Sequence, residues 1–260
     1  MDPAAKESNI PGHVIGFRSI TALRETDRWS PLQVEEVHLW GVSLTVEEME
    51  SRDFAAWLSG DELARAARLI STVHRQRFVA AHGAVRLILS RYCGTRPEHL
   101  VFASTARGKP FLRDIGTGCE ALQFNLTHSQ GRALIAVARD RDIGVDLETL
   151  RRKTDAARLA NRFFSSRDQE YILGGSPSER DERFLRVWVA KEAVSKARGS
   201  GITFPLNRDH VDIDSEGIHG RLTGTDPPMK PMVFRFVPLE RQWVGAVAAE
   251  GHDWRLVLRT

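Results

Sequence analysis

Two acidic side chains close together in the chain are of a type and spacing suited to binding a cation. Asp146 and Glu148 lie in the stretch 143–148, where apolar and polar residues alternate, which predicts a β-strand. Because side chains two residues apart share one face of a strand, the two carboxylates would repel each other unless a cation lay between them. The alternative is a half-buried strand that shows its carboxylates to water.

A second pair of charges, Glu192 and Lys196, lies one helical turn apart in the stretch 184–199. Helix-favouring residues fill this stretch without Pro or Gly until Gly199, and Trp188 belongs to its apolar side. The carboxylate and the ammonium could both be directed at one phosphate–metal site. They could equally form a surface ion pair worth about 0.3–0.5 kcal/mol.

Basic side chains concentrate in an earlier helical region that begins near residue 59 and includes Arg65 and Arg77. Such a group is either a solvated helix face or a set of guanidinium groups that binds phosphate oxygens. Further along, a turn at Gly108–Lys109 offers a lysine beside exposed backbone N–H groups, although the spacing of a P-loop is absent. His128 is read either as a structural histidine or as a functional one.

The composition restricts the class of protein. The chain has 260 residues, of which 42% are hydrophobic and 27% charged, with a formal net charge of +3. The sequence contains no apolar run of about 18 residues and no apolar core of a signal peptide, so we expect neither a membrane span nor export. Cys93 and Cys119 are too few for a disulfide framework or a zinc cluster, which fits a reducing cytoplasm. The mild positive charge suits an anionic substrate or an acidic partner and does not by itself indicate nucleic-acid binding.

The order of predicted elements indicates an α+β protein with two similar lobes. Strands at 122–129, 133–138 and 143–148 follow one another and should form an antiparallel sheet, whereas the region before them and the region after them each contain long helices. We expect a loosely attached extension over residues 1–33, an N-terminal lobe over 34–142 and a C-terminal lobe over 143–260.

Five short motifs, in this order, resemble those of the 4′-phosphopantetheinyl transferases, specifically the long surfactin-synthetase-activating type. The resemblance covers roughly residues 58–205. The motifs are Gly108-Lys-Pro, Phe124-Asn-Leu-Thr-His-Ser, Gly144-Val-Asp-Leu-Glu, Arg162-Phe-Phe-Ser and Trp188-Val-Ala-Lys-Glu-Ala-Val-Ser-Lys. Departures from the family pattern are mild: Thr127 stands where serine is common, and Asp168 where glutamate is usual.

The resemblance implies a fold, a reaction and a set of site residues. The family consists of two α/β lobes related by a pseudo-twofold axis, with coenzyme A in the cleft between them. It transfers the phosphopantetheine arm of coenzyme A to a serine of an acyl or peptidyl carrier protein, depends on Mg²⁺ and releases 3′,5′-ADP. A monomer that binds neither nucleic acid nor membrane is implied. The implied magnesium ligands are Asp146, Glu148 and Glu192. The implied coenzyme A contacts are Arg65, Arg77, Arg107, Gly108, Lys109, Asn125, Thr127, His128, Lys191 and Lys196.

Under this interpretation three of these residues are catalytic. Attack on a diphosphate gathers negative charge, so catalysis rests mainly on positioning and electrostatic stabilisation. Glu192, which is either the general base or only a metal ligand, would accept the serine proton directly or through a metal-bound water. Lys196 and His128 would stabilise charge on the phosphates. The remaining alternatives are a non-catalytic basic binding module and another Mg²⁺-dependent enzyme acting on a nucleotide diphosphate.

Overall fold

The computed structural model describes residues 14–25, 29–45, 48–113, 119, 121–151, 155–200, 206–223 and 231–259. Its helices are α1 (Ile20–Arg24), α2 (Glu48–Ala55), α3 (Gly60–Ala67), α4 (Thr72–Cys93), α5 (Ala156–Phe163), α6 (Ser166–Leu173) and α7 (Arg180–Arg198). Its strands are β1 (Glu36–Ser43), β2 (Phe102–Ser104), β3 (Pro110–Leu112), β4 (Leu122–Ser129), β5 (Arg132–Arg139), β6 (Ile143–Thr149), β7 (His210–Ile213), β8 (His219–Thr223), β9 (Met232–Phe236), β10 (Trp243–Glu250) and β11 (Arg255–Arg259). The protein is therefore of the α+β class.

Two larger sheets form the centre of the fold. The first has the strand order β11-β1-β5-β4, and the second has the order β6-β10-β9-β8-β7. A small third sheet pairs β2 with β3. The strands β4, β5 and β6 follow one another in sequence, but β6 forms its hydrogen-bonded ladder with β10 rather than β5. The expected three-stranded meander is therefore wrong in its last strand, which begins the second sheet.

Each sheet carries one long helix, and the strand pattern explains why. In β5, Ile135 and Val137 face the core beneath α4, whereas Leu134 and Ala136 belong to a core shared by both sheets. This two-sided burial explains why β5 is apolar at nearly every position instead of alternating. A separate core joins α7 to the second sheet. The protein thus has one core under each long helix and one between the sheets.

Both long helices end at glycines that adopt the left-handed conformation. Gly94 closes α4 with φ 59°, and Gly199 closes α7 with φ 63°. Residues other than glycine seldom adopt this conformation, so the stop at Gly199 expected from the sequence is confirmed. At the other end of α4, the Ser71 hydroxyl accepts a hydrogen bond from the backbone N–H of His74.

The structure differs from expectation at both ends of the chain. Part of the expected loose extension is packed, since Ile15, Ile20 and Leu23 are each at most 1% exposed. Residues 1–13 and 26–28 lie outside the described part. The last strand, β11, lies in parallel beside β1 in the first sheet, although the sequence placed it in the C-terminal lobe.

The two cysteines are joined in the structure. Cys93, at the end of α4, forms a disulfide with Cys119, which precedes β4. From the sequence, the two cysteines were too few for a disulfide framework and fitted a reducing cytoplasm, and the structure instead joins them to each other. The sequence could not reveal it, because it depends on how the end of α4 packs beside the start of β4. Among the described helices, none has both the length and the apolarity needed to cross a membrane.

Candidate active site

A close contact between strand β6 and helix α7 forms the base of the candidate site. A Cβ atom added at Gly144 would lie 2.1 Å from the carbonyl oxygen of Ala193 and 2.4 Å from the backbone nitrogen of Ala197. Only glycine therefore lets the helix backbone rest directly on the strand. This contact places the last turns of α7 next to the following residues of β6, so the glycine of the Gly-Val-Asp-Leu-Glu motif has a defined structural purpose.

Lys196 and Asp146 meet across this contact. The Lys196 ammonium lies 2.6 Å from Asp146 Oδ1 and also donates to the carbonyl of Val145 at 3.1 Å. Thr127, from β4 of the other sheet, contacts both groups, 3.2 Å from Lys196 Nζ and 3.2 Å from Asp146 Oδ1. Three predicted site residues distant in sequence are thus brought together. The other oxygen of Asp146, Oδ2, is buried and has no hydrogen-bond partner.

Two more carboxylates lie near Asp146. Burial raises the pKa of Glu192, and the negative charges of Asp146 and Glu148 raise it further, while Lys196 opposes the shift. Glu148 accepts a long hydrogen bond of 3.5 Å from the Ser129 hydroxyl. Within the described ranges, no group of three His, Cys, Asp or Glu side chains is close enough to hold a metal ion as it stands. The arrangement is an acidic cluster rather than a preformed cage.

A basic group adjoins this cluster on the other side of β4. The pKa of His128 is lowered by partial desolvation and then by the positive charges of Lys196, His82 and Arg77. The Arg77 guanidinium lies against the β4–β5 turn, 3.3–3.5 Å from where a Cβ atom of Gly131 would be. His128 itself is exposed. Arg77, His128 and Lys196 therefore lie near one another and form a group suited to binding an anion.

Two further arginines of the helical region, Arg65 and Arg86, differ in their burial. Arg65 is exposed, with its guanidinium 5.7 Å from the centre of the Phe78 ring, which in turn stacks on His82. Arg86 instead is 2% exposed and pairs with Glu62 at 2.6 Å, which joins α4 to α3. Arg65 therefore remains available to a ligand, whereas Arg86 is structural.

The turn before β3 reaches across to the end of α7. Arg107 and Gly108 are exposed in this turn, and Gly108 has φ 86°. Lys109 donates to the carbonyl of Ala197 at 2.6 Å and lies 3.4 Å from Asp142. Burial lowers its pKa, and Asp142 opposes that shift. An ammonium beside the last carbonyls of a helix also interacts favourably with the helix dipole.

Two predicted coenzyme A contacts are not available to a ligand in this structure. Lys191 is 0% exposed, pairs with Asp168 at 2.7 Å, and donates to the carbonyls of Leu206 and Asp209. Asn125 is 6% exposed, and its side-chain oxygen accepts the backbone N–H of Val145 at 2.9 Å. Lys191 therefore stabilises the interior beside α7, and Asn125 joins β4 to β6. Motif membership alone does not distinguish a lysine buried beside Asp168 from one that contacts Asp146.

Sequence reasoning missed several residues that shape the site. Ser129 contacts Glu148, Asp142 contacts Lys109, and His82 lies near His128. Ser129 ends a quoted motif, so its position could have drawn attention to it. His82 lies in a helix without a motif, and only the packing of α4 on the sheet brings it to the site.

The sequence is similar to those of several known proteins. The sequence profile described as the 4′-phosphopantetheinyl transferase superfamily matches residues 142–248, which include β6 and α7. The chain is 40% identical over 226 residues to 4′-phosphopantetheinyl transferase HetI of Nostoc sp., a match that covers 85% of this chain and 90% of HetI. It is also 26% identical over 172 residues to 4′-phosphopantetheinyl transferase Sfp of Bacillus subtilis, covering 66% of this chain and 74% of Sfp.

An α+β fold that brings carboxylates, a lysine and basic side chains close together is suited to transferring a phosphate-linked group. The match to HetI extends over most of both proteins and identifies the family: the chain belongs to the 4′-phosphopantetheinyl transferases. The expectation drawn from the five motifs is confirmed, and the protein is a transferase that modifies carrier proteins.

Proposed function

We propose that this protein transfers the phosphopantetheine arm of coenzyme A to a serine of an acyl or peptidyl carrier protein, with Mg²⁺, releasing 3′,5′-ADP. The observation that carries the proposal is the meeting of Lys196, Asp146 and Thr127 beside two further carboxylates. A non-catalytic binding module has no need for such a cluster, because three neighbouring carboxylates weaken the binding of anions.

The acidic cluster fits a magnesium ion. Asp146 Oδ2 is buried without a hydrogen-bond partner, which is costly unless a ligand satisfies it. The mutual repulsion that raises the pKa of Glu192 would also be relieved by a cation. Magnesium prefers oxygen ligands, keeps several waters and commonly binds one or two carboxylates together with substrate phosphates, so a complete protein cage is unnecessary. We therefore assign Asp146, Glu148 and Glu192 as its ligands.

Coenzyme A would contact the basic surface beside this cluster. Arg77, Arg65 and His128 would supply positive charge or hydrogen-bond donors for phosphates, and the exposed Arg107–Gly108 turn lies near the end of α7. Lys109 holds that turn against α7 through its hydrogen bond to Ala197, so we assign it a positioning role in addition to the proposed phosphate contact. Thr127 would orient the diphosphate from β4.

The reaction follows from the positions of the proton acceptor and the cations. Glu192 would take the proton of the carrier serine, and its raised pKa brings its basicity closer to neutral pH. The serine oxygen forms a bond to the phosphorus that bears the pantetheine arm, and the bond from that phosphorus to the bridging oxygen breaks. The electron pair leaves with 3′,5′-ADP. Lys196 and His128 would stabilise the charge that develops on the phosphates, and bound magnesium would supply further charge neutralisation.

The two-lobe organisation is also a proposal, with the boundaries 34–142 and 143–260 and a separate segment 1–33. It is supported by a repeated strand order, β1-β5-β4 in one sheet and β6-β10-β9 in the other, each with one long helix on its face. We propose that a pseudo-twofold axis relates these halves, and that β11, although it belongs to the segment 143–260, completes the sheet of the first half by pairing with β1. We further propose a cytoplasmic monomer whose partners are coenzyme A and the carrier protein and which binds neither nucleic acid nor membrane. The Cys93–Cys119 disulfide is the observation that runs against a reducing compartment.

The test is the mass of a carrier protein. An apo acyl or peptidyl carrier protein is incubated with coenzyme A, magnesium chloride and the enzyme, and its intact mass is measured. We expect a gain of one phosphopantetheine arm that disappears when EDTA replaces magnesium and when the carrier serine is changed to alanine. If no carrier protein of either type gains the arm, the proposal fails.

A further inference from the structure

Strands β4 and β6 lie side by side, although they belong to different sheets. In the described part of the chain each is the outermost strand of its sheet, because β4 pairs with β5 alone and β6 with β10 alone. Backbone N–H and C=O groups on such an edge need partners when they are buried. No ladder of backbone hydrogen bonds joins these two described strands, so other groups must satisfy the edge that β6 turns toward β4.

Polar side chains on one face of β4 connect the two strands. Asn125, Thr127 and Ser129 are two residues apart along β4 and therefore share a face. They contact β6 in chain order: Asn125 contacts Val145, Thr127 contacts Asp146, and Ser129 contacts Glu148. This row of side-chain contacts takes the place of a backbone ladder between the two sheets.

Asn125 differs from the other two residues in the group that it binds. Thr127 and Ser129 contact carboxylates, which can rotate about their side-chain bonds without moving the strand. Asn125 instead accepts the backbone N–H of Val145 at 2.9 Å, so this hydrogen bond holds the strand itself. Asn125 is 6% exposed and Val145 0%, so water competes little for the hydrogen bond.

The carbonyl of Val145 links this hydrogen bond to the candidate site. Lys196 Nζ donates to that carbonyl at 3.1 Å and to Thr127 Oγ1 at 3.2 Å, and it lies 2.6 Å from Asp146 Oδ1. Three of these groups belong to β6 or α7, whereas Thr127 belongs to β4. A shift of β6 relative to β4 would therefore separate Thr127 from Lys196 and Asp146, and the hydrogen bond of Asn125 opposes that shift.

We propose that Asn125 is a positioning residue for the transfer reaction: through the Val145 N–H it holds β6 in place beside β4, and it thereby keeps Lys196 and Asp146 within reach of Thr127. The inference rests on the proposed function, because it assigns Asn125 a role in that reaction. Asn125 acts through Val145, since its own side chain is buried and its oxygen is already bonded. Displacing charged groups by a fraction of an ångström weakens their stabilisation of a transition state, so the effect should fall on kcat.

Two substitutions at Asn125 and a control on the same strand provide the test. Steady-state transfer to a carrier protein is measured at saturating coenzyme A and magnesium for the wild type, Asn125→Leu, Asn125→Asp and the control Thr149→Val. Leucine is similar to asparagine in size but has no acceptor, whereas aspartate keeps an acceptor oxygen at the same place. Thr149 also lies on β6, is 3% exposed, and donates to the backbone carbonyl of Gln242 at 3.2 Å. The control therefore loses a similar buried hydrogen bond, directed toward β10 instead of β4.

The variants should separate by the hydrogen bond that they retain. For Asn125→Leu we expect kcat to fall about tenfold, the rate equivalent of one lost hydrogen bond, and the KM for the carrier protein to stay unchanged because Asn125 is buried. Asn125→Asp should keep most of the wild-type kcat, and Thr149→Val should keep all of it. Amide hydrogen exchange at Val145, measured in the free enzyme, should become faster in Asn125→Leu but not in Asn125→Asp.

Three outcomes would overturn the inference: a normal kcat for Asn125→Leu, an equal loss of kcat in Thr149→Val, or a slow Asn125→Asp whose Val145 amide stays protected. The first would leave Asn125 a purely structural role, and the second would mean that any weakening of β6 slows the reaction. If Asn125→Leu does not fold, Asn125→Ser replaces it, because the serine hydroxyl is one atom shorter and does not reach the Val145 N–H. A wild type that transfers no arm to any carrier protein would refute the proposed function, whereas amide exchange would still test the hydrogen bond.

Discussion

The two lysines of α7 lie five positions apart in the same motif, and the structure gives them opposite roles. Lys191 is fully buried against Asp168, which is 1% exposed, whereas the Lys196 side chain is 29% exposed. Replacing Lys191 with methionine leaves a buried carboxylate without its cation, which costs about 3–5 kcal/mol. For a chain of this size each kcal/mol lowers Tm by roughly 2–4 °C, so we expect a decrease of about 10 °C.

The assay compares Lys191→Met with Lys196→Met by thermal unfolding and by coenzyme A binding at 15 °C. We expect Lys191→Met to lose stability but to bind coenzyme A normally while folded. Lys196→Met should show the reverse, with a smaller loss of stability, because its ammonium is partly exposed. Normal stability of Lys191→Met together with weakened coenzyme A binding would refute the structural role assigned to Lys191.

A double variant keeps this prediction testable if Lys191→Met does not fold. Changing Asp168 to asparagine at the same time removes the isolated charge, while the new amide oxygen can still accept the backbone N–H of Val211, which now lies 2.8 Å from Asp168 Oδ1. We expect the double variant to recover part of the lost stability. A double variant less stable than Lys191→Met alone would contradict the reasoning.

Three further predictions concern the elements around the site. Gly144→Ala should push α7 away from β6 and reduce both stability and transfer rate, measured by urea unfolding and by carrier modification; unchanged values would contradict the contact. Burial would raise the pKa of Glu62, but hydrogen bonds from His82 and Arg86 lower it to about 2. The ionised Glu62 therefore contributes about 3 kcal/mol to the free energy of unfolding. This contribution is complete above pH 4.5 and is lost as the pH falls toward 2. The stability gap between wild type and Glu62→Gln should narrow over that window, and a constant gap would contradict it. Cys93→Ser should cost about 3.5 kcal/mol in oxidised protein, given the 26-residue separation of the disulfide, and nothing in reduced protein.

Much of the site could be predicted from sequence because its motifs lie on regular elements. Asp146 and Glu148 share a strand face, and Glu192 and Lys196 share a helix, so local periodicity was sufficient to group each pair. The contact of Lys196 with Asp146 and Thr127 depends on the close packing of α7 on β6 that Gly144 allows. This packing cannot be predicted from local sequence periodicity.

The errors have a common physical origin in long-range packing. Lys191 and Lys196 look alike in sequence, but they point to different sides of α7, one toward the interior at Asp168 and one toward β6. Strand β11 lies at the end of the chain and was therefore assigned to the C-terminal lobe, yet it pairs with β1 in the first sheet. Such pairings are settled by the tertiary fold, which single-sequence periodicity does not encode.

The central claim is that Asp146 and Glu192 form the acidic half of a phosphopantetheinyl transfer site. Single-turnover transfer of the coenzyme A arm to a carrier protein, followed by intact mass, tests it with wild type, Asp146→Ala and Glu192→Gln, each first checked for folding by circular dichroism. We predict complete transfer by the wild type and a loss of rate of at least about 100-fold in Glu192→Gln, the usual contribution of a general base. We predict a comparable loss in Asp146→Ala, because this change removes a proposed magnesium ligand and the partner of Lys196. Near-normal transfer by either variant would contradict the site as described.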